Sequence, residues 1–371
     1  MCVRKMRSRR RNVVVSALLT RTSFVSARRI GGVRSLASSR GVVRILDGGL
    51  STQLEHHHGV DLTQFPKLWT AGLLEDENGR SALRAAHDAY IRSGASIILT
   101  SSYQTSPATD AASLAASVDL ALEARDASTC AAEAWLSLGP YGATLADGSE
   151  YRGDYSLDET ALREWHASRL SLLVGGSSSP RHGIGGGSSS PRHGIDGLAF
   201  ETIPNIHEVR AILRIICEDG AYRPLPAWIS FSCRDATHLA DGTPLIDVAG
   251  ECRAAFAMHR LGAPTFLGAN CVDPAIVHRI LDALLVENAA PSDLTGMTGI
   301  VLYPNGGGHW DAEQRCWRRG DGESAPFSEE PATLATQWAH RITAAGMEAI
   351  IGGCCETDQT TIRALREALV Q

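Results

Sequence analysis

No apolar run in this 371-residue chain approaches the 18 or so residues that a membrane-crossing helix needs, so no membrane partner is expected. There is no secretory apolar core near the start, and the nine cysteines are odd in number and widely scattered. That pattern argues against a disulfide framework and for a reducing compartment, which leaves thiols available to a metal. The first 40 residues hold ten Arg and Lys5, many Ser and no carboxylate; Asp47 is the first acid. The remainder carries 24 basic against 41 acidic side chains, so it sits near −17 beneath a formal total of −6. Such a body lacks the basic face that a nucleic-acid partner requires. An Arg-rich, Ser-rich, acid-free start has the composition of an organellar transit peptide, with a disordered basic tail or a misplaced start codon as alternatives. Residues 1–40 are therefore set apart from a body at 41–371, and a cytoplasmic or mitochondrial location is expected.

What is present is a rhythm. Short apolar runs ending in polar or glycine-rich residues recur eight times: Val42–Leu46, Ser96–Leu99, Trp135–Leu138, Gly197–Phe200, Ala227–Phe231, Thr265–Leu267, Ile300–Leu302 and Ala349–Ile351. Between them lie stretches of helical composition near 78–93, 109–133, 158–173, 205–218, 247–262, 273–287, 331–346 and 358–370. Eight strand-helix units predict an α/β protein of the (β/α)8 TIM-barrel type, with its site at the carboxyl ends of the strands. A doubly wound open sheet is the alternative, but no Gly-x-Gly-x-x-Gly follows the first strand.

Residues 175–195 are of low complexity. A run from Gly175 to Ile184 is nearly repeated from Gly186 to Ile195, a tandem duplication of loop sequence expected to be disordered and on the face away from the site. His182 and His193 within it are expected to be solvated, and His56-His57-His58 reads as a polar loop run after the first strand.

In a barrel the strand ends converge, and three thiols would then meet: Cys271 after the sixth strand, Cys354 and Cys355 after the eighth. Any one of them alone would be ordinary apolar filler, but neighbours on a strand point to opposite faces and cannot both fill one core. Three soft ligands with a fourth position open describe a catalytic zinc site, one suited to keeping a bound thiol as the nucleophilic thiolate. Asp47 and Glu201, at the first and fourth strand ends, could each hold an α-ammonium; the alternatives are a structural ion pair or, for Asp47, a helix N-cap. Gly48 and Gly49 would let backbone N–H groups approach a carboxylate. Asn270 and Asn305 offer amides for orientation. Tyr103, Tyr141 and Trp69 could wall a cationic methyl donor, with core packing as the alternative for each.

Taken together, Asp47-Gly48-Gly49, Gly139-Pro140-Tyr141-Gly142, Phe200-Glu201-Thr202-Ile203-Pro204, Gly268-Ala269-Asn270-Cys271, Tyr303-Pro304-Asn305 and Gly352-Gly353-Cys354-Cys355 resemble the homocysteine S-methyltransferase family, from about Val43 to Ala368. The resemblance implies a (β/α)8 barrel with Zn²⁺ on Cys271, Cys354 and Cys355, homocysteine bound through its sulfur, and Asp47 and Glu201 on its amino group. The stretch Asp147–Tyr155 looks more like the branch that uses S-methylmethionine or S-adenosylmethionine than the branch that uses betaine. The expected activity is transfer of a methyl group from a sulfonium donor to homocysteine, forming methionine. Betaine as donor, selenocysteine as acceptor, a non-catalytic zinc-binding barrel and a metal-dependent hydrolase are the alternatives. The scarcity of His at strand ends counts against the last.

Overall fold

A computed structural model of the chain describes residues 41–65, 67–109, 111–174, 194–285, 296–311, 316–318, 327–328 and 330–370. Eight strands form one parallel sheet: β1 (Val43–Ile45), β2 (Ile97–Leu99), β3 (Glu133–Leu138), β4 (Gly197–Ile203), β5 (Ala227–Phe231), β6 (Thr265–Asn270), β7 (Gly299–Tyr303) and β8 (Glu348–Ile351). Each pairs with its neighbours in chain order, and β8 returns to β1 in the register Val43 to Ala349. A parallel bridge between Leu46 and Ile97, with Asp47 N–H donating to Ile97 O at 3.0 Å, joins β1 to β2 and closes the ring. The predicted barrel is the fold.

Its helices are α1 (Leu50–His58), α2 (Glu77–Arg92), α3 (Ala111–Ala127), α4 (Glu159–Val174), α5 (Ile206–Glu218), α6 (Leu245–His259), α7 (Val277–Leu285), α8 (Pro331–Ala344) and α9 (Gln359–Leu369). Strands covered by helices outside and filled inside have no solvent face, which is why β4 and β6 are buried at every position and carry apolar runs in their first halves. Inside the ring, Leu46, Ile97, Trp135, Trp228, Phe266 and Ile350 pack into one cluster. Trp135 and Trp228 stack at 4.6 Å, and Phe266 meets Trp135 edge-on at 6.3 Å. All three rings come from the first halves of their strands, so they floor the barrel beneath the strand ends.

Three expectations need correction. His56-His57-His58 is not loop but the last turn of α1, which Gly59 ends in a left-handed conformation (φ 65°) while donating its N–H to Leu54 O. Gly49 at its N-cap makes no side-chain cap, so the usual start signal is absent and Asp47 does not supply one. Strands β4 and β6 run three residues further than their apolar cores, carrying Glu201, Thr202 and Asn270 within the ladder itself. Helix α3 stops at Ala127, short of the expected 133. The readings of residues 1–40 and of 175–193, His182 and His193 included, lie outside the described residues; Gly194 and Ile195 lead into β4.

Candidate metal centre

The ends of β6 and β8 bring Cys271, Cys354 and Cys355 together with their sulfurs all within 4.8 Å of one another. Cys271 Sγ lies 3.6 Å from Cys355 Sγ. The loop after β7 stitches the two cysteine segments into one piece. Cys271 N–H donates to Tyr303 O at 3.1 Å, Cys354 N–H to Pro304 O at 2.7 Å, and Gly306 N–H to Cys355 O at 2.8 Å. The doubled glycine before the thiols permits close approach. A Cβ on Gly352 would come within 2.6 Å of Asp47 O, and one on Gly353 within 2.3 Å of Thr357 Oγ1.

Hydrogen bonds from Cys354 and Cys355 hold the Cys271 thiol well below its ordinary range, while contact with Cys271 pushes the other two up. Three sulfurs packed this closely form a donor set suited to a soft cation. Cys271 itself adopts a left-handed backbone (φ 53°), as do Thr202 (φ 61°) and Glu356 (φ 61°) beside it in the fold or chain. For a β-branched residue such as Thr202 that conformation is an outlier, and such strain collects at functional sites. Asn270 fixes it: its Oδ1 accepts from Thr202 N at 2.8 Å and from Ser230 Oγ at 2.7 Å, and its Nδ2 donates to Thr202 Oγ1 at 2.7 Å. The expected orienting amide is therefore committed to the wall of the site.

Two carboxylates open onto the same end of the barrel. Asp47 Oδ2 accepts from Leu99 N at 2.8 Å, and burial, helped by repulsion from Glu201, drives its carboxyl well above the usual range. Glu201 accepts from Ser137 Oγ and, at 3.2 Å, from the Tyr303 hydroxyl; burial pushes it up to about 7 against those bonds. Among the described residues neither acid has an ion-pair partner, so the structural ion pair is not what they form. Two facing acids of this kind suit a cationic ligand.

Other expected residues are placed as follows. Gly49 N–H donates to Thr357 O and to Thr357 Oγ1, each at 3.1 Å, so it is spent on the fold rather than offered to a carboxylate. Gly48 and Gly49 instead let β1 approach: a Cβ on Gly49 would stand 2.4 Å from Cys354 O. Asn305 Oδ1 accepts from Gly307 N at 2.9 Å and shapes the loop after β7. Tyr103 lies close enough to Cys271 and Glu201 for their charges to act on it, and its hydroxyl bonds Thr202. Trp69 Nε1 donates to Ser51 Oγ at 2.7 Å, and Tyr141 packs edge-on against Tyr155 and Trp165. The residue not expected is Tyr151, whose hydroxyl is 3.5 Å from Cys271 Sγ. Ser137 was likewise unforeseen, being one hydroxyl within an apolar strand.

A model of the family described as homocysteine S-methyltransferase matches residues 44–369. The chain belongs to the homocysteine S-methyltransferase family. Among family relatives, the homocysteine S-methyltransferase of Escherichia coli (strain K12) is 35% identical over 354 residues, covering 90% of this chain and 97% of the relative. A selenocysteine Se-methyltransferase of Brassica oleracea var. italica is 30% identical, with 94% and 95% covered. The solved metallated form of the homocysteine methyltransferase MmuM from Escherichia coli superposes with a TM-score of 0.65 at 32% identity, covering 88% of this chain and 96% of that one. In this homocysteine S-methyltransferase family member, the three clustered thiols are, among the described residues, the group that could hold a metal.

Proposed function

We propose that the protein transfers a methyl group from a sulfonium amino acid, S-methylmethionine or S-adenosylmethionine, to the sulfur of homocysteine, with Zn²⁺ resident on Cys271, Cys354 and Cys355. The observation that carries this is one juxtaposition: three thiols within 4.8 Å of one another at the barrel mouth that also holds two buried acids lacking a cation. The thiol spacing fits the ion. Tetrahedral bonds of about 2.3 Å set sulfurs roughly 3.8 Å apart, close to the 3.6 Å between Cys271 and Cys355. Zinc held there supplies positive charge that keeps a substrate thiol as thiolate at neutral pH. Asp47 and Glu201 hold the α-ammonium of homocysteine, which fixes the direction from which its sulfur reaches the thiol cluster. Tyr103 and Tyr151 put aromatic side chains beside the thiols, where the donor's charge would arrive.

The reaction then asks for alignment. A bond forms between the acceptor sulfur and the donor's methyl carbon as the carbon–sulfonium bond breaks, and its electron pair leaves on a neutral thioether. The thiol proton is lost to solvent before attack, and the thioether leaves neutral without being protonated, so neither a general base nor a general acid is assigned. The test is metal analysis of reduced, purified protein together with methionine formation from homocysteine and S-methylmethionine, S-adenosylmethionine or betaine. We expect one zinc per chain, turnover with a sulfonium donor, and loss of both in Cys355→Ala. Zinc-free wild-type protein, or activity surviving that substitution, would sink the reading. The selenocysteine Se-methyltransferase among the relatives supports a second acceptor, since a selenolate asks the same of the site; a parallel assay with selenocysteine reads it.

A further inference from the structure

We infer that Glu150 is the anchor for the α-ammonium group of the methyl donor, selecting amino-acid sulfonium compounds over simple sulfonium ions. The inference rests on the reaction proposed above and adds to it the site where the second substrate is held. Glu150 is the middle residue of a short 3-10 turn, Ser149–Tyr151. Its Oε2 is enclosed by protein and has no hydrogen-bond partner among the described residues. The cation carried by the same loop is engaged elsewhere: Arg152 Nε donates to Asp154 Oδ2 and Nη1 to Asp147 O, both at 2.9 Å. A buried carboxylate oxygen with no donor is costly, and burial pushes this carboxyl up to about 7, offset only in part by its own backbone N–H and by the charge of Arg152.

The turn cannot easily release it. Ser149 N–H donates to Asp147 Oδ1 at 2.9 Å, Gly153 N–H to Ser149 O at 2.7 Å, and Gly142 packs so closely that a Cβ there would stand 2.8 Å from Glu150 N. The enclosure is also in the right place. Tyr151, the next residue, puts its hydroxyl 3.5 Å from Cys271 Sγ; Glu150 itself is close enough for its charge to act on Tyr103 and for that of Cys271 to act on it. A cation docked on Glu150 therefore lies beside the thiol cluster, on a loop separate from the β1 and β4 acids assigned to the acceptor.

The chemistry decides which cation. Positive charge on the donor sulfur disappears as the methyl group leaves, so a carboxylate against that sulfur would stabilise the ground state more than the transition state. The donor's ammonium keeps its charge throughout and can be held without that penalty.

The experiment uses zinc-loaded full-length protein, wild type and Glu150→Gln, with S-methylmethionine and with dimethylsulfoniopropionate, a sulfonium compound that has no amino group. We expect the KM for S-methylmethionine to rise tenfold or more in the variant. Zinc content, the KM for homocysteine and the KM for the amine-free sulfonium should stay within twofold. An unchanged KM for S-methylmethionine, or an equal loss for both donors, overturns the inference. If the variant does not fold, wild type alone decides: S-methylmethionine must bind at least tenfold more tightly than the amine-free compound, and equal affinity overturns the assignment. If wild type turns over neither donor, the proposed reaction fails separately. Calorimetric binding of S-methylmethionine that Glu150→Gln abolishes would still support the site, and no binding to wild type would overturn it.

Discussion

Two buried glutamates, Glu201 in β4 and Glu208 in α5, meet opposite surroundings. Glu208 has a side chain wholly out of solvent and receives the Tyr141 N–H at 2.8 Å, His166 Nε2 at 2.7 Å and the Tyr155 hydroxyl. Its neighbour in that outer layer, Arg169, is equally buried and donates to the carbonyls of Gly139, Ser102 and Tyr103. Glu201, at the mouth, receives two hydroxyls in side-chain bonds among the described residues and faces Asp47, a like charge. Burial alone thus says little about an acid's purpose; what separates the two regions is how far the protein itself satisfies the group. The outer layer uses its charges to clamp loops behind the site. The mouth leaves accepting capacity for something that arrives.

The comparison can be broken most forcefully from the structural side. Glu208→Ala strips the acceptor from three donors at once, and about 3–5 kcal/mol of stability should go with it. Denaturant unfolding measures this; a loss under about 1 kcal/mol would mean that the network is ornamental. A smaller effect on the fold and a larger one on binding are expected at Glu201. Glu201→Gln removes an ionisation that burial opposes, so unfolding free energy at pH 8 should hold or rise, while the KM for homocysteine climbs by roughly tenfold or more, as loss of a charge-assisted contact implies. Marked destabilisation would put Glu201 in the same class as Glu208.

The same group carries a pH signature. Its folded value, about 7, lies above the ordinary 4.5, so ligand-free folded protein holds a proton that the unfolded chain releases between those values. Stability from this group therefore falls as pH rises through that window. Binding of an ammonium needs the ionised form, so the KM for homocysteine should rise as pH drops below about 7, and Glu201→Gln should flatten that profile. The smallest effect is expected at the histidine run. His57 Nε2 pairs with Asp358 at 2.9 Å near the surface, and His57→Ala should cost under about 1 kcal/mol with zinc content unchanged. Loss of zinc there would reveal a ligand outside the thiol cluster.

The barrel was legible because most strand positions are buried and each strand contains a compact apolar run between stretches of helical composition. Helix α1 was not, since a glycine N-cap and three terminal histidines leave neither a start signal nor a clear periodicity. The thiols were legible because Cys354 and Cys355 are adjacent and Cys271 ends a strand two places away in the ring. Ser137 and Tyr303, which hold Glu201, lie 64 and 102 residues from it in sequence, and a lone hydroxyl in an apolar run announces nothing. Glu150 escaped notice for the complementary reason: in a stretch crowded with Asp, Arg and Tyr, only burial distinguishes it from its exposed neighbours. Only the folded ring shows which polar residues face inward and which of them lack a partner.

The stacked indoles of Trp135 and Trp228 have a consequence for traffic. Those rings and Phe266 fill the barrel below the thiols, so ligands of the proposed site come and go from the strand-end side. Whichever substrate sits deeper has to enter first and leave last, so the kinetics should follow a compulsory order, with the shallower product the first to depart.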